Sequence, residues 1–287
     1  IFGEFIVKTV NLSKYKKSFF YRVKILWKLR QTKYQNIINL TSSRRILTDE
    51  ICLLANAQNY ICFVNTWQIQ KPLFRKYFDN KYSSIYDSKL FNEYDRINHL
   101  LSHTFCLPDK TYSIVASGIL HKLNLKSQIV VAPFSSHESH SWELEKYFEL
   151  INLLSKDYKV YVLGNTLKPL KDVNENRTVI NKINKTTIVE AVEIIAQSLF
   201  FIGNDSGLTH IALKFKIPLL GILGGGNFGR YLPYNESTTT KFVYHKLDCF
   251  NCEWYCKYEK PLCLTNITVD EVFSECEEIL ALLKSTN

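Results

Sequence analysis

Asp205, Ser206 and Gly207, with His210 one helical turn further on, are the residues of this chain best suited to chemistry. They lie within FFIGNDSGLTHIALKFKIPLLGILGGG, from Phe200 to Gly226. The apolar run Phe200 to Ile202 stops at Gly203, Asn204 to Gly207 supply a turn and a helix cap, and a helix is expected to start near Leu208. Ile211, Ala212 and Phe215 fall on one face of that helix, and Pro218 to Leu223 resume as a buried strand. Gly224, Gly225 and Gly226 then read as backbone that a ligand can approach without side chains in the way. Such a strand–turn–helix presents free amides at the carboxyl end of a strand, where phosphate is attracted. His210 follows Ser206 by four positions, so the two side chains are expected on one face directed back toward the helix start.

Two further loops follow strand-like runs: Ser135, Ser136 and His137 with His140 and Trp142, and Gly164-Asn165-Thr166. In a parallel α/β sheet, loops at the carboxyl ends of strands converge on one crevice. Their hydroxyls, imidazoles and helix-start amides suit a diphosphate and sugar hydroxyls, and none pairs an obvious nucleophile with its base. A site of this kind holds and activates a leaving group. Arg230, in the run after Gly224, is a candidate phosphate or acceptor contact, with a structural role as the alternative. A separate cluster, Cys249, Cys252, Cys256 and Cys263, places four thiols where one loop could surround a tetrahedral ion; zinc is the default and iron the alternative, with unligated thiols or disulfides the other reading. Four thiolates leave no open position, so such an ion would be structural. Cys52, Cys62, Cys106 and Cys276 sit in apolar contexts and read as buried thiols of a reducing compartment.

The elements that must position these residues alternate as a parallel sheet requires. In the first half, strands are expected at Glu4 to Val10, Asn36 to Leu40 and Tyr60 to Val64, with helices at Tyr15 to Lys33 and Leu47 to Ala57. In the long helix Phe19, Val23, Leu26 and Arg30 trace one side, widened by Phe20 and Trp27, and this stripe reads as core. Lys14, Lys16, Lys17, Arg22, Lys24, Lys28 and Lys33 form a basic face that reads as solvated, with phosphates or anionic lipid headgroups as alternative partners. From Trp67 to Thr111 the pattern is irregular, and a domain boundary is placed near residue 122. The second half is more regular: strands Ile129 to Phe134, Tyr158 to Leu163 and Thr178 to Asn181, helices Leu144 to Leu154 and Thr187 to Gln197, the opening unit, and a last helix, Val269 to Leu283.

With 287 residues, 46% hydrophobic and 22% charged, the chain has an ordinary globular composition and is long enough for two domains. A formal charge of +9 favours an anionic partner. No apolar stretch approaches the roughly 20 residues that span a bilayer, so membrane contact would be peripheral. No nucleic-acid reading motif accompanies the charge. The chain starts at Ile1 and contains no Met, which suggests a fragment.

Over nearly its whole length the sequence resembles glycosyltransferase family 9, the bacterial ADP-heptose-dependent heptosyltransferases of lipopolysaccharide synthesis. The resemblance is carried by Gly203 to Gly207 with His210, by Pro218, and by GGGNFGRYLPY from Gly224 to Tyr234. KYQNIIN from Lys33 to Asn39 and Pro133 to Trp142 support it. It implies an α/β protein of the GT-B fold, two Rossmann-like domains facing a central cleft. Residues 1–122 would be the acceptor side, lacking its first strand and helix. Residues 123–287 would bind the nucleotide sugar and carry the Cys-rich loop 249–263 and the C-terminal helix.

By the same resemblance Asp205, Ser206, Gly207 and His210 contact the donor diphosphate and sugar, Ser135 and Ser136 match a phosphate-binding hydroxyl pair, and His140 stands where some members carry a phosphate-binding Lys. Asn165, Thr166, Gly225 and Arg230 complete the donor side. The family's general base is an Asp in a Gly-Asp turn after the first strand, which nothing before Glu4 matches, so no catalytic base is assigned. The loop after Leu163 offers Asn165 and Thr166 in place of an acidic residue often found near the donor. Some family 9 proteins, among them autotransporter heptosyltransferases, carry iron in a similar Cys-rich loop. The implied reaction transfers a heptose-like sugar from ADP-heptose or a related donor to a lipopolysaccharide core or related glycan, without a catalytic metal, in the cytoplasm and with peripheral contact to the inner membrane. Alternatives are heptosylation of a protein, a catalytically silent binding subunit, and a nucleotide-sugar epimerase, which would need acid/base pairs that these loops do not offer.

Overall fold

Among the described residues the named strands pair in parallel, as alternating strand and helix patterns require. The computed structural model describes residues 10–41, 46–63, 72–86, 92–105, 127–135, 138–167 and 177–285. Two compact units divide at Asp109 and Lys110. The boundary expected near residue 122, the strand expected at Glu4 to Val10, Ser136 and His137 fall at least partly outside the described residues.

In the first unit, helices α1 (Leu12–Lys17) and α2 (Phe19–Gln31) precede β1 (Lys33–Asn39), α3 (Ile46–Leu53), β2 (Asn56–Phe63), α4 (Pro72–Asp79), β3 (Ser84–Tyr86) and α5 (Glu93–Phe105). The sheet runs β1-β2-β3. The single long helix expected from Tyr15 to Lys33 is two helices, because Ser18 adopts an extended backbone and its hydroxyl accepts from Tyr21 N at 3.3 Å as the cap of α2. The stretch expected to be irregular, Trp67 to Thr111, contains α4, β3 and α5. Its polar, Tyr-rich surface masks the helical period.

The larger correction concerns α2. Its apolar stripe, expected to be core, is solvent-facing: Phe19 is 73%, Phe20 85%, Val23 47% and Trp27 61% exposed. No residue of α2 is buried. What turns the helix this way is polar. Arg22 forks onto the Glu50 carboxylate of α3, Nε at 2.7 Å, and the buried Tyr15 ring places its hydroxyl 3.4 Å from the same carboxylate. Under the strand ends, Asn39, Asp49 and Tyr82 form a buried triangle: Asn39 Nδ2 donates to Asp49 Oδ1 at 3.2 Å and Tyr82 OH donates to it at 2.8 Å. Burial, above all, pushes the Tyr82 hydroxyl far above its ordinary range.

The second unit contains β4 (Gln128–Ala132), α6 (Leu144–Leu154), β5 (Lys159–Val162), β6 (Val179–Asn181), α7 (Ile188–Ala196), β7 (Phe200–Asn204), α8 (Gly207–Lys214), β8 (Leu219–Ile222), β9 (Thr240–Val243), α9 (Leu262–Thr265) and α10 (Val269–Ser285). The sheet order is β6-β5-β4-β7-β8-β9. The expected strands and helices of this half are present within a few residues, and β9 is an addition. Val130, Val131, Phe200, Phe201, Ile202, Leu219 and Leu220 are fully buried, as central parallel strands covered on both faces must be. On one face α6 and α10 close the core around Tyr147, Leu150, Cys276 and Ile279; on the other, Ala191, Ile195 and Ala212 of α7 and α8 pack on Val130 and Phe201.

Two helices begin with reciprocal caps. Thr187 Oγ1 and Glu190 exchange bonds at the start of α7, and Thr268 and Glu271 do the same at α10. The Thr268 amide, 2.8 Å from Glu271 Oε2, together with His245 Nε2 at 2.9 Å from Oε1, holds the Glu271 carboxyl down at about 2 against an ordinary 4.5. A carboxyl depressed in the folded state contributes stability above its unfolded pKa and loses it as pH falls through the folded one. Denaturant melts between pH 4.5 and 2 should therefore show a steeper fall for the native chain than for Glu271→Gln, which starts lower at neutral pH; parallel curves would refute the assignment.

Candidate functional site

The order β6-β5-β4-β7-β8-β9 reverses direction between β4 and β7, which makes the carboxyl ends of those two strands the topological switch point where parallel sheets bind ligands. Asn204, the last residue of β7 and fully buried, ties the two ends together. Its Nδ2 donates to Pro133 O at 2.8 Å, and its Oδ1 accepts from Trp142 N at 2.9 Å. Both ends of the loop after β4 are thereby fixed to the strand that leads into the Asp205 turn. Trp142, grouped by sequence with the ligand loop, is core: its ring is buried and Nε1 donates to Ile267 O at 2.9 Å. Within the loop, Ser141 Oγ accepts from Ser135 N at 3.2 Å and donates to Ser135 Oγ at 2.9 Å.

Helix α8 begins at Gly207 with Ser206 in the N-cap position, but no side chain caps its first turn. Ser206 Oγ lies 3.3 Å from Thr209 Oγ1, and Thr209 in turn donates to Asn204 O. Ser206 and His210, expected on one face, thus make separate contacts. His210 Nε2 stands 3.5 Å from Asp205 Oδ1, its Nδ1 is 3.2 Å from Tyr234 OH, and the two rings stack at 5.9 Å between centroids. The 3.5 Å separation is loose enough for a ligand oxygen to compete for Nε2. A Cβ placed on Gly207 would meet nothing within 4 Å, so no packing requires glycine there. An uncapped helix start, open space over its first residue, and a partly exposed carboxylate–imidazole–phenol series are groups that can hold phosphate and hydroxyl oxygens.

Gly225 and Gly226 are not open to a ligand, contrary to the reading of the triple glycine as a bare approach. A Cβ on Gly225 would lie 2.4 Å from the Phe250 ring, and one on Gly226 2.3 Å from the Trp254 ring. Their carbonyls accept from Asn251 N at 2.7 Å and Glu253 N at 2.8 Å, and Gly225 N donates to Cys263 Sγ at 3.3 Å. The glycines are there so that the Cys-rich loop can lie on them. Asn251, Glu253 and Trp254 have φ of 64°, 53° and 64°. Left-handed backbone costs about 1 kcal/mol at each non-glycine position, offset here by those bonds and the ring packing. Trp254 also stacks on His140, 3.9 Å between centroids at 15°. That contact gives His140 a role that the Lys comparison did not foresee.

The remaining candidates divide. Arg230 is buried, with its guanidinium 5.2 Å from the Tyr231 ring centre. Thr166 exchanges bonds with the Asn184 side chain at 2.8 Å in both directions, and Asn165 is exposed; both follow β5, on the far side of β4 from β7. Among the described residues no group of three or more His, Cys, Asp or Glu is arranged to hold a metal ion, so the ligand set expected of Cys249, Cys252, Cys256 and Cys263 is not assembled. The four thiols nevertheless lie in one another's fields. Burial chiefly, and the neighbouring thiols in addition, push Cys252 and Cys263 up. Sequence reasoning missed Asn204, Thr209, Tyr234 and Trp254. Only Asn204, at the end of an apolar run inside the turn, left a signal that could have been read.

The family model for glycosyltransferase family 9 (heptosyltransferase) matches residues 92–260. The chain is 26% identical over 147 residues to lipooligosaccharide heptosyltransferase 2 of Campylobacter jejuni, a match covering 48% of this chain and 46% of that protein. It is 22% identical over 168 residues to the lipopolysaccharide core heptosyltransferase OpsX of Haemophilus influenzae, covering 54% of this chain and 48% of that one. These matches span about half the length of the curated relatives. The fold is similar to that of E. coli heptosyltransferase WaaC with ADP, at a TM-score of 0.67 and 16% identity over 94% of this chain and 82% of that one. The α/β architecture is of the GT-B class.

Two substitutions test the geometry. Asn204→Ala leaves the buried Trp142 amide and Pro133 carbonyl unpaired and should lower stability by about 2–4 kcal/mol in urea titration. Gly226→Ala drives a methyl into the Trp254 ring, so near-ultraviolet circular dichroism should report its displacement from His140; an unchanged spectrum and melting point would refute the packing.

Proposed function

The chain belongs to glycosyltransferase family 9, and on that premise we propose that it transfers a heptose-like sugar from a nucleoside-diphosphate donor, ADP-heptose, to a lipopolysaccharide core or related glycan. The observation that carries the reading is the uncapped start of α8 at the switch point, flanked by Asp205 and His210. The amides of Gly207 and Leu208 meet the donor diphosphate, and the space over Gly207 admits it. His210, steered by Asp205 on one nitrogen and Tyr234 on the other, faces the sugar end of the donor. Ser135, braced by Ser141, adds a hydroxyl from the loop that Asn204 pins beside the same turn.

In the reaction an acceptor hydroxyl loses its proton to a base and displaces the nucleoside diphosphate at the anomeric carbon. The charge that develops on the departing phosphate is stabilised by the α8 amides, which are already oriented and need no reorganisation. No residue described here is assigned as the base. The acceptor is an anionic glycolipid met at the inner membrane from the cytoplasm, and contact with that membrane is peripheral. Among the described residues no helix is long and apolar enough to cross a membrane. A structural zinc or iron in the loop from Cys249 to Cys263 is supported by the spacing and by the mutual influence of the thiols, and would require the loop to draw the four sulfurs together.

Thermal shift against a panel of nucleotide sugars, with mass analysis of the products, tests the reading. ADP-heptose should stabilise the native protein. Gly207→Val, which fills open space and should leave the ligand-free melting point unchanged, should weaken donor binding at least about tenfold, or ~1.4 kcal/mol. Equal donor binding by the variant, or no stabilisation of the native protein by any nucleotide sugar, would overturn the proposal.

A further inference from the structure

The outer face of α2 is explained neither by the core nor by the donor site. At about 100° per residue, Phe19, Val23, Trp27 and Phe20 occupy one continuous arc of the helix, with Lys24 and Lys28 along its margin and Arg30 within it. All seven are exposed. Three aromatic rings within nine residues on the solvent side of one helix form an apolar patch of the kind that marks an interaction surface. Its orientation is set from the flank beyond Phe19, where Arg22 is clamped on Glu50, and from α1, whose Tyr15 is buried against the same carboxylate.

Charge selects the partner. From Leu12 to Gln31 there are seven Lys and Arg and no acidic residue, and Arg22 is the one that the Glu50 contact holds inward. A second copy using this face would oppose the same lysines to each other, since a two-fold interface apposes identical patches. Aromatic side chains at the centre of a lysine-bordered helix face fit instead the boundary between acyl chains and anionic headgroups: rings enter the boundary region, and ammonium groups reach phosphates at its edge.

We propose that the outer face of α2, built from Phe19, Phe20, Val23 and Trp27 with Arg30 among them and Lys24 and Lys28 along one margin, docks the protein on an anionic phospholipid surface. The helix lies in the plane of the interface and does not cross it. This shares with the transferase reading a peripheral membrane contact but uses none of the donor-site residues.

Co-sedimentation of full-length protein with vesicles of phosphatidylglycerol and phosphatidylethanolamine, against vesicles of phosphatidylcholine alone, tests it. The native protein should partition onto the anionic vesicles and be released by added salt. Phe20→Glu with Trp27→Glu, and separately Lys24→Glu with Lys28→Glu, should each lower partitioning at least about tenfold. Both pairs should keep the native melting point and the native thermal shift with nucleotide sugar. Equal binding to both vesicle types, no binding, or undiminished binding by either pair would overturn the proposal. So would a drop in melting point for the aromatic pair, which would mean that another part of the chain covers the face, or a native dimer that the same pair dissociates in sedimentation velocity. The vesicles carry no sugar acceptor and no donor, so failure here leaves the transferase reading standing, and failure of donor binding leaves this one standing.

Discussion

The second unit depends on one amide side chain. Asn204 ends β7 at the place where the sheet reverses its winding, and its two polar atoms hold both ends of the loop that follows β4. A carboxylate could accept from Trp142 N but could not donate to Pro133 O; an aliphatic residue could do neither. Because the site is fully buried, each of these bonds is made in a low dielectric, where leaving a partner unsatisfied is costly. The loop that carries Ser135 and the turn that carries Asp205 are therefore tied to one strand end.

A second constraint works on the other flank. The chain after β8 gives up side chains at Gly224, Gly225 and Gly226 so that Phe250 and Trp254 can lie on its backbone. The covering loop accepts three left-handed residues to do so. Trp254 then reaches His140, which joins the Cys-rich loop to the loop after β4. Thus the thiol cluster, the glycine run and the pinned loop form one packed assembly around the α8 start. Gly207 differs from these three: a Cβ there would meet nothing within 4 Å.

The two units solve the same problem with different means. In the second, thick aliphatic and aromatic layers cover both faces of six strands. In the first, the buried apolar cluster is small, and specific polar ties carry more of the burden: the Asn39–Asp49–Tyr82 triangle and the Arg22–Glu50 fork. A helix oriented by an ion pair can afford to leave aromatic rings in solvent, and α2 does.

The parallel α/β organisation of the second half was legible residue by residue, because central strands must be continuous apolar runs and the helices between them repeat near every 3.6 residues. The turn from Asn204 to Ser206 was legible too, since an apolar run that stops at a polar, glycine-bounded segment ahead of a helical period marks a strand–turn–helix. Leu144 to Leu154 was read at its observed bounds. The α2 stripe was misread because an apolar period says that one face is distinctive but not whether protein or another medium covers it. Trp142 and His140, two residues apart, looked alike as loop residues, yet one is core and the other packs under Trp254. By itself, then, the sequence determined the strand and helix alternation, the polar turn between β7 and α8, and the family. Tertiary structure alone decided that Asn204 is the staple, that Tyr234 lies against His210, that Gly225 is packed while Gly207 is open, and that α2 turns its aromatics outward. Local periodicity and turn chemistry act over a few residues and can be read along the chain; which side chains meet across tens of positions is set by sheet order and packing.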